Sequence, residues 1–513
     1  MSDLHAPGRG VCPREVDGTT MTDESGSDSE THTRNVVIVV LDTARAGSVD
    51  EQTTPTLSAL ADEGTAFDRA FATAPWTLPS HASMFTGTYP TEHGTHGGNT
   101  YLSDSLCTLP EVFSEAGFET VGVSNNTWIT EEFGFHRGFD ELRRGWQYVQ
   151  SEVDMGTVVR GEDLREKIQA TRDRLFEGNP LVNAANVLYS EFLQPAGDDG
   201  ADRTTEWITK WLHDRSDDRP FFLFCNYIEP HVQYDPPPEY AKRFLPDGAT
   251  YEEATEIRQD PRAYDCEDYE LTDREFALLR GLYRAELAYV DDHIGRLRQA
   301  LEVTGQWDDT LFVVCGDHGE NVGDHGFFGH QYNLYDTLMH VPLVLHGGPF
   351  TDGSRRTDLV QLLDLPTTLI ETAGITDPEF SAQNHGRSFH PDSRVSPREA
   401  VFAEYVAPQP SIQRLEARFG EIPDSVREFD RRLRAIRTAE YKYVTGDDGF
   451  ERLHFLDSDP GERVDVSSAE PELVDSLTRQ LEGQFNGLEP VEPTGEVSMS
   501  GSTKDRLADL GYL

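Results

Sequence analysis

Two carboxylates and an imidazole stand at the ends of strongly apolar runs in this 513-residue chain: Asp42 closes NVVIVVLD, and Asp317 with His318 follows TLFVVCG. A lone aspartate after a strand is an ordinary turn former or helix cap. Two of them at equivalent places, with a histidine beside one, make a donor set suited to a hard-to-borderline divalent cation. A hydroxyl joins the set. In APWTLPSHASMFTGTYPTEHG, Thr77 precedes Pro79 by two residues, and that proline is expected at the first position of a helix. Thr77 would then sit at a helix entrance, where free backbone N–H groups favour an anion, and a metal-bound hydroxyl there could attack a sulfate or a phosphate. Its other reading is a helix N-cap, a common role for threonine.

The elements that must position these residues follow an α/β pattern. NVVIVVLD, FETVGVSN, PFFLFCNYI, TLFVVCGD and VPLVLHG read as strands, most of them continuously apolar, as in a mostly parallel sheet buried on both faces. Helices are expected over Pro55 to Glu63, from Pro79 through PSHASMFTG, and over Asp202 to His213, Arg274 to Val303 and Leu363 to Gly374. Strands alternating with helices predict a doubly wound sheet with helices on both faces. Ligands of such sheets bind beyond the carboxyl ends of the strands, where Asp42 and Asp317 fall.

Residues 1–34 are polar and acidic and are expected to be a disordered lead-in. The catalytic domain is expected over 35–376 and a turn-rich connector over 377–399. A small C-terminal α+β subdomain is expected over 400–513, with RAIRTAEYKYVTG and ERLHFLDSD as two strands around GDDG and a helix over Glu470 to Phe485. The segment from Met155 to Gly200 is mixed and reads as an insertion.

Composition narrows the function classes. There are 92 acidic against 44 basic side chains, a formal net charge of -48, and lysine occurs only at Lys167, Lys210, Lys242, Lys442 and Lys504. Such a surface stays soluble where salt screens self-repulsion, since at 1 M salt the Debye length is only about 3 Å. We read it as adaptation to a salty cytoplasm. Nucleic acid is excluded as a partner, because phosphate binding needs a basic footprint that is absent. No run approaches the ~20 apolar residues of a membrane span, so no membrane partner is expected. Residues 1–34 lack a signal-peptide pattern, and a soluble cytoplasmic protein is expected. The five cysteines, Cys12, Cys107, Cys225, Cys266 and Cys315, are widely spaced and odd in number, which favours buried free thiols. Oligomeric state is not readable.

The segment around Thr77 resembles the signature of the sulfatase family of the alkaline phosphatase superfamily: nucleophile, any residue, Pro, Ser, Arg, then a helix ending in Thr-Gly and Tyr-Pro. The chain has Thr77, Leu78, Pro79, Ser80 and His81, with the helix closing at Thr86, Gly87, Tyr89 and Pro90. LDTARA resembles the first metal-binding strand, NYIEPHVQYDPP the segment of an anion-binding histidine, and GDHGENVGDHGFFGH the second metal segment. RTAEYKYV, HFLDSDPGE and RLADLGYL resemble the family's C-terminal subdomain, so the likeness runs from about residue 35 to the end. The type is acidic and haloarchaeal-like.

The resemblance implies a metal site of Asp42, Asp317 and His318 for one divalent ion (Ca, Mn, Zn or Fe), with the histidine favouring the last three. It implies that His231 holds an ester oxygen or protonates the leaving group, and that His330 stands where many relatives place an anion-binding lysine. Asn125 or Asn126 could donate to the transferred group; Asp324 and His325 are more distant candidates. The implied substrate is a small anionic ester or a sulfated glycan.

Three departures matter. Thr43 replaces the second acid that usually follows the first, and His81 replaces the arginine that helps hold the nucleophile. Thr77 replaces the Cys or Ser that becomes formylglycine, and its oxidation would give a ketone, so no formylglycine is expected. A formylglycine hydrate expels sulfate by collapsing to the aldehyde; a threonine adduct must instead be broken by attack at sulfur or phosphorus. Motif similarity therefore favours a sulfuric ester hydrolase. The threonine favours a phosphodiester or phosphonate-ester hydrolase or phospho-transferase, and an inactive anion-binding homologue is a third reading.

Overall fold

The computed structural model describes residues 34–147, 150, 197–488, 491, 499, 503–504 and 506–507. The expected lead-in up to residue 33, the insertion up to residue 196 and most of RLADLGYL lie outside the described residues.

The main sheet has eight strands in the order Ser354–Arg356, Thr65–Phe67, Leu343–His346, Thr310–Gly316, Asn35–Leu41, Phe221–Tyr227, Glu119–Ser124 and Glu141–Arg144. All neighbours run parallel except Leu343–His346, which is antiparallel to both of its partners. The three central strands are buried along their whole length, which is why their sequences are continuous apolar runs rather than alternating ones.

Alternation persists in where each side chain goes. Val36, Ile38 and Val40 join Phe222, Phe224, Leu311 and Val313 with Leu78, Ala82 and Phe85 of the helix Thr77–Thr86 on one face. Val37, Val39 and Leu41 join Leu223, Cys225, Phe312 and Val314 with Leu279, Leu282 and Val290 of the helix Asp273–Val303 on the other. The sheet is thus covered on both faces, as expected. The 31-residue helix Asp273–Val303 opens with a capping box between Thr272 and Glu275.

Four antiparallel strands, Ala400–Tyr405, Leu433–Thr438, Tyr441–Gly446 and Glu451–Phe455, form the smaller sheet. RAIRTAEYKYVTG, expected as one strand, is two. The Thr438 hydroxyl accepts from the backbone N–H of Glu440 at 3.3 Å and of Tyr441 at 3.0 Å, which reverses the chain. The helix Pro471–Phe485 buries Val474, Leu477, Leu481 and Phe485 with Ile436, Tyr443 and Leu453 of this sheet. Within 377–399 lies a short helix, Pro378–Gln383, and Arg398 makes a buried ion pair with Asp364 at 2.5 Å. Cys107, Cys225, Cys266 and Cys315 are free thiols. Among the described residues no helix is long and apolar enough to cross a membrane.

Candidate active site

Four neighbouring parallel strands deliver their next residues to one place. Thr310–Gly316 runs into Asp317 and His318, Asn35–Leu41 into Asp42, Phe221–Tyr227 into the turn bearing His231, and Glu119–Ser124 into Asn125 and Asn126. The helix Thr77–Thr86 completes the floor. It begins two residues earlier than expected: Trp76, in extended conformation, is the N-cap, and Thr77 is the first helical residue rather than the cap. Gly87 ends this helix in the left-handed region at φ 68°. Every residue of the helix is buried, so Thr77 is held by packing on all sides.

The ligand atoms of Asp42, Asp317 and His318 lie within 4.8 Å of one another. Nε2 of His318 is 3.9 Å from Oδ1 of Asp42, 3.3 Å from Oδ2 of Asp317 and 3.3 Å from Oγ1 of Thr77. The remaining atoms are oriented by hydrogen bonds. Asn126 donates through Nδ2 to Oδ2 of Asp42 at 2.6 Å and to Oγ1 of Thr77 at 3.4 Å. Oδ1 of Asp317 accepts from the backbone N–H of Thr43 and His318, and Nδ1 of His318 is 2.9 Å from the carbonyl of Gly319.

This arrangement fits a cation. Oδ1 of Asp42 and Oδ2 of Asp317 are buried and have no hydrogen-bond partner, although both residues have zero exposure. Burial first, and the Asp317 carboxylate second, push Asp42 well above the usual carboxylate range. Two buried carboxylates held close together, each with an oxygen lacking a hydrogen-bond partner, are costly unless a positive charge lies between them. Thr43, at the position of the missing acid, sits at φ 61°, uncommon for a β-branched residue, and its buried hydroxyl is also without a partner.

Three further histidines surround the cluster. Nδ1 of His81 is 2.9 Å from the Thr77 carbonyl and 3.5 Å from Oδ2 of Asp317, so His81 touches both the Thr77 backbone and the Asp317 carboxylate. The rings of His231 and His330 are 4.9 Å apart, and that of His330 is 4.7 Å from His318. Burial, followed by the neighbouring His330, lowers His231 to about 3. Burial likewise holds His330 well below the ordinary histidine range.

Asn125 and Asn126 are separated by the fold. Asn126 faces Asp42 and Thr77, whereas Oδ1 of Asn125 accepts from Thr204 at 3.0 Å, away from the cluster. Asp324 pairs with Arg45 at 2.8 Å and His325 stacks on Tyr335 at 3.6 Å, so both shape the loop. Two residues were missed by sequence reasoning. Asn226, inside an apolar strand, accepts from the backbone N–H of Asn126 at 3.1 Å. Glu320, two residues after His318, lies 2.8 Å from Nδ1 of His330. A polar residue within a fully apolar strand was the available signal for the first; a third acid in GDHGE was the signal for the second.

The family model for sulfatases matches residues 34–375. The arylsulfatase of Clostridium perfringens is 23% identical over 492 residues, covering 91% of this chain and 97% of its own length. Among solved structures, the phosphonate monoester hydrolase of Agrobacterium radiobacter superimposes with a TM-score of 0.64 at 20% identity, covering 87% of this chain and 96% of that one. A 2-O GAG sulfatase gives a TM-score of 0.62 at 20% identity, with coverages of 89% and 92%.

Proposed function

Because this chain belongs to the sulfatase family and is a sulfatase-like hydrolase, we propose that it is a metal-dependent sulfuric ester hydrolase whose encoded Thr77 is the nucleophile. The observation that carries this is the position of the Thr77 hydroxyl, 3.3 Å from His318 Nε2 and 3.4 Å from Asn126 Nδ2, beside two carboxylates with unpaired oxygens. Asp42, Asp317 and His318 would hold one divalent ion. When bound, it would supply positive charge to the nucleophile and to the ester oxygens.

The chain's own residues divide the remaining work. Asn126 orients the Thr77 oxygen and donates toward the transferred group. His231 and His330, whose rings lie 4.9 Å apart beside His318, position the ester, and His81 holds the first turn of the helix through the Thr77 carbonyl. Attack by Oγ1 on sulfur expels the alcohol and leaves a threonine sulfate ester, which water then cleaves at sulfur. Imidazole among the ligands favours manganese, zinc or iron over calcium. A small anionic ester or sulfated glycan suits the family relatives, and the strongly acidic composition supports a salt-rich cytoplasm as the setting. We assign 35–376 to the catalytic domain and 400–513 to the small subdomain.

One observation favours a second reading. Threonine has no aldehyde exit, and phosphoryl adducts undergo the second displacement more readily than sulfuryl ones, so a phosphodiester or phosphonate-ester substrate fits the same site. The fold neighbour that hydrolyses phosphonate monoesters is consistent with it. Aryl sulfate, aryl phosphate diester and aryl phosphonate ester, compared side by side at high salt with the metal content measured, decide between the two. Turnover of sulfate that is lost in Thr77→Ala supports the first reading; turnover of phosphorus esters alone supports the second. A protein purified without a stoichiometric divalent ion and inert on all three overturns both.

A further inference from the structure

A pocket of about 190 Å³ lies between the edge of the main sheet, at Arg356 and the residues after it, and the returning segment 387–398. It shares no residue with the centre around Thr77. Its strand, Ser354–Arg356, stands three places along the sheet from the one that delivers Asp317, about 14 Å at ordinary strand spacing. The walls are tied together. Arg356 donates through Nη1 to the Phe389 carbonyl at 2.7 Å, and the backbone N–H groups of Arg387 and Phe389 go to Asp364 at 2.7 Å and Thr368 at 3.1 Å. Three arginines, Arg356, Arg387 and Arg398, line this pocket against two acids, Asp358 and Asp364. Both acids are already matched, Asp358 by Arg356 at 3.0 Å and Asp364 by Arg398 at 2.5 Å. The exposed guanidinium of Arg387 has no ion pair or hydrogen bond among the described residues. Two more donors lack an acceptor there. Ser388, 7% exposed, accepts from the backbone N–H of His390 at 3.2 Å, but its own O–H is given to no described residue. His390, also in the lining, accepts from the backbone N–H of Asp392 at Nδ1, so its neutral ring carries the hydrogen on Nε2.

We propose that this pocket is a second anion site, separate from the Thr77 centre, that takes a sulfate or phosphate group. A guanidinium, a hydroxyl and an imidazole N–H without acceptors complement an oxyanion, whose oxygens accept charge-assisted hydrogen bonds. The local excess of positive charge runs against the composition, in which acidic side chains outnumber basic ones by 92 to 44. Pockets that enclose a whole organic ligand measure roughly 300 Å³ or more. This one therefore takes the free ion or a single charged group of a larger molecule. A dianion held there links segment 387–398 to the sheet edge and stabilises the folded chain by mass action. The inference goes beyond the hydrolase reading and does not depend on it.

Equilibrium dialysis of the full chain against radiolabelled inorganic sulfate, with potassium chloride holding the ionic strength fixed, tests it. Arg387→Gln should weaken sulfate binding at this site by about 10-fold or more and leave the turnover of any ester substrate unchanged. Arg394→Gln removes the same charge from a nearby exposed residue outside the lining and should bind sulfate as the wild type does. His231→Ala alters the Thr77 centre and should keep this site. The thermal midpoint should rise with added sulfate in the wild type and in His231→Ala, and much less in Arg387→Gln. Competition by inorganic phosphate and by glucose 6-sulfate identifies the source: displacement by the inorganic ions alone supports a free ion, and displacement by the sugar sulfate as well supports a group on a larger molecule. Sulfate binding unchanged in Arg387→Gln overturns the proposal. So does equal weakening in Arg394→Gln, which would reflect overall charge, or a single sulfate site that disappears in His231→Ala.

Discussion

A threonine at the first turn of a helix ordinarily has water around its hydroxyl. Thr77 has zero exposure, and its oxygen faces His318 and Asn126 beyond the carboxyl ends of the strands. Replacing it by alanine removes the proposed nucleophile and no capping bond, since the helix N-cap is Trp76 and uses no side-chain bond. Ester turnover should fall by roughly 10³-fold or more, whereas Thr77→Ser should retain part of it; equal rates in wild type and Thr77→Ala would remove the nucleophile assignment. The two asparagines give a sharper contrast. Asn126→Ala takes a donor from both Asp42 and Thr77 and should lower kcat by about 10²-fold. Asn125→Ala, which loses only the bond from Thr204, should cost far less; steady-state kinetics on the same ester measures both.

At the scale of elements, the short helix Asp336–Met339 is joined to the smaller sheet by a buried charge cluster. Lys442 reaches Asp336 at 2.6 Å and Glu462 at 2.8 Å, and Arg437 reaches Asp336 at 3.0 Å. Burial favours the neutral acid at Asp336, yet Lys442 and then Arg437 outweigh it and hold this carboxyl below the ordinary range. That contribution to stability is fully present above the unfolded carboxylate value and is lost as the pH falls from there to the lower folded value. Glu462 is pushed up to about 7 by burial, with Lys442 opposing, so its contribution is complete at low pH and is lost as the pH rises through about 7. Lys442→Met would leave both acids short of a counter-charge. Chemical denaturation should show a loss of about 3–5 kcal/mol at pH 8 and a smaller loss at pH 5, where the carboxyls can take up protons. A loss independent of pH would mean that packing, not charge, dominates there.

The molecule as a whole carries a formal charge of -48. Its arginines reach across elements, as Arg298 does to Glu63 and Arg215 to Glu119. Partly exposed pairs of this kind contribute modestly each, and they offset only part of the repulsion among the remaining acids. Screening has to supply the rest. Lowering KCl from about 2 M to about 0.1 M lengthens the Debye distance to about 10 Å, and the thermal midpoint should fall by several degrees or more. The KM for an anionic ester should rise over the same range, because long-range repulsion of substrate is then unscreened. A midpoint and KM that do not change with salt would show that the acidic surface plays neither part.

The apolar runs by themselves determined a doubly covered parallel sheet, because a strand buried on both faces leaves no polar alternation to misread. They also determined that Asp42, Asp317 and His318 would meet, since carboxyl ends of neighbouring parallel strands converge. The spacing of Thr77 to Pro79 brought its hydroxyl to a helix entrance, though helix ends are soft by a residue or two and the cap proved to be Trp76. Tertiary structure alone decided between Asn125 and Asn126, because consecutive residues beyond a strand face opposite sides. It also decided that Glu320 and Asn226 belong to the site, since their partners, His330, Val232 and Asn126, lie 10, 88 and 100 residues away along the chain. A local pattern can say where a side chain starts; only packed neighbours say what it touches.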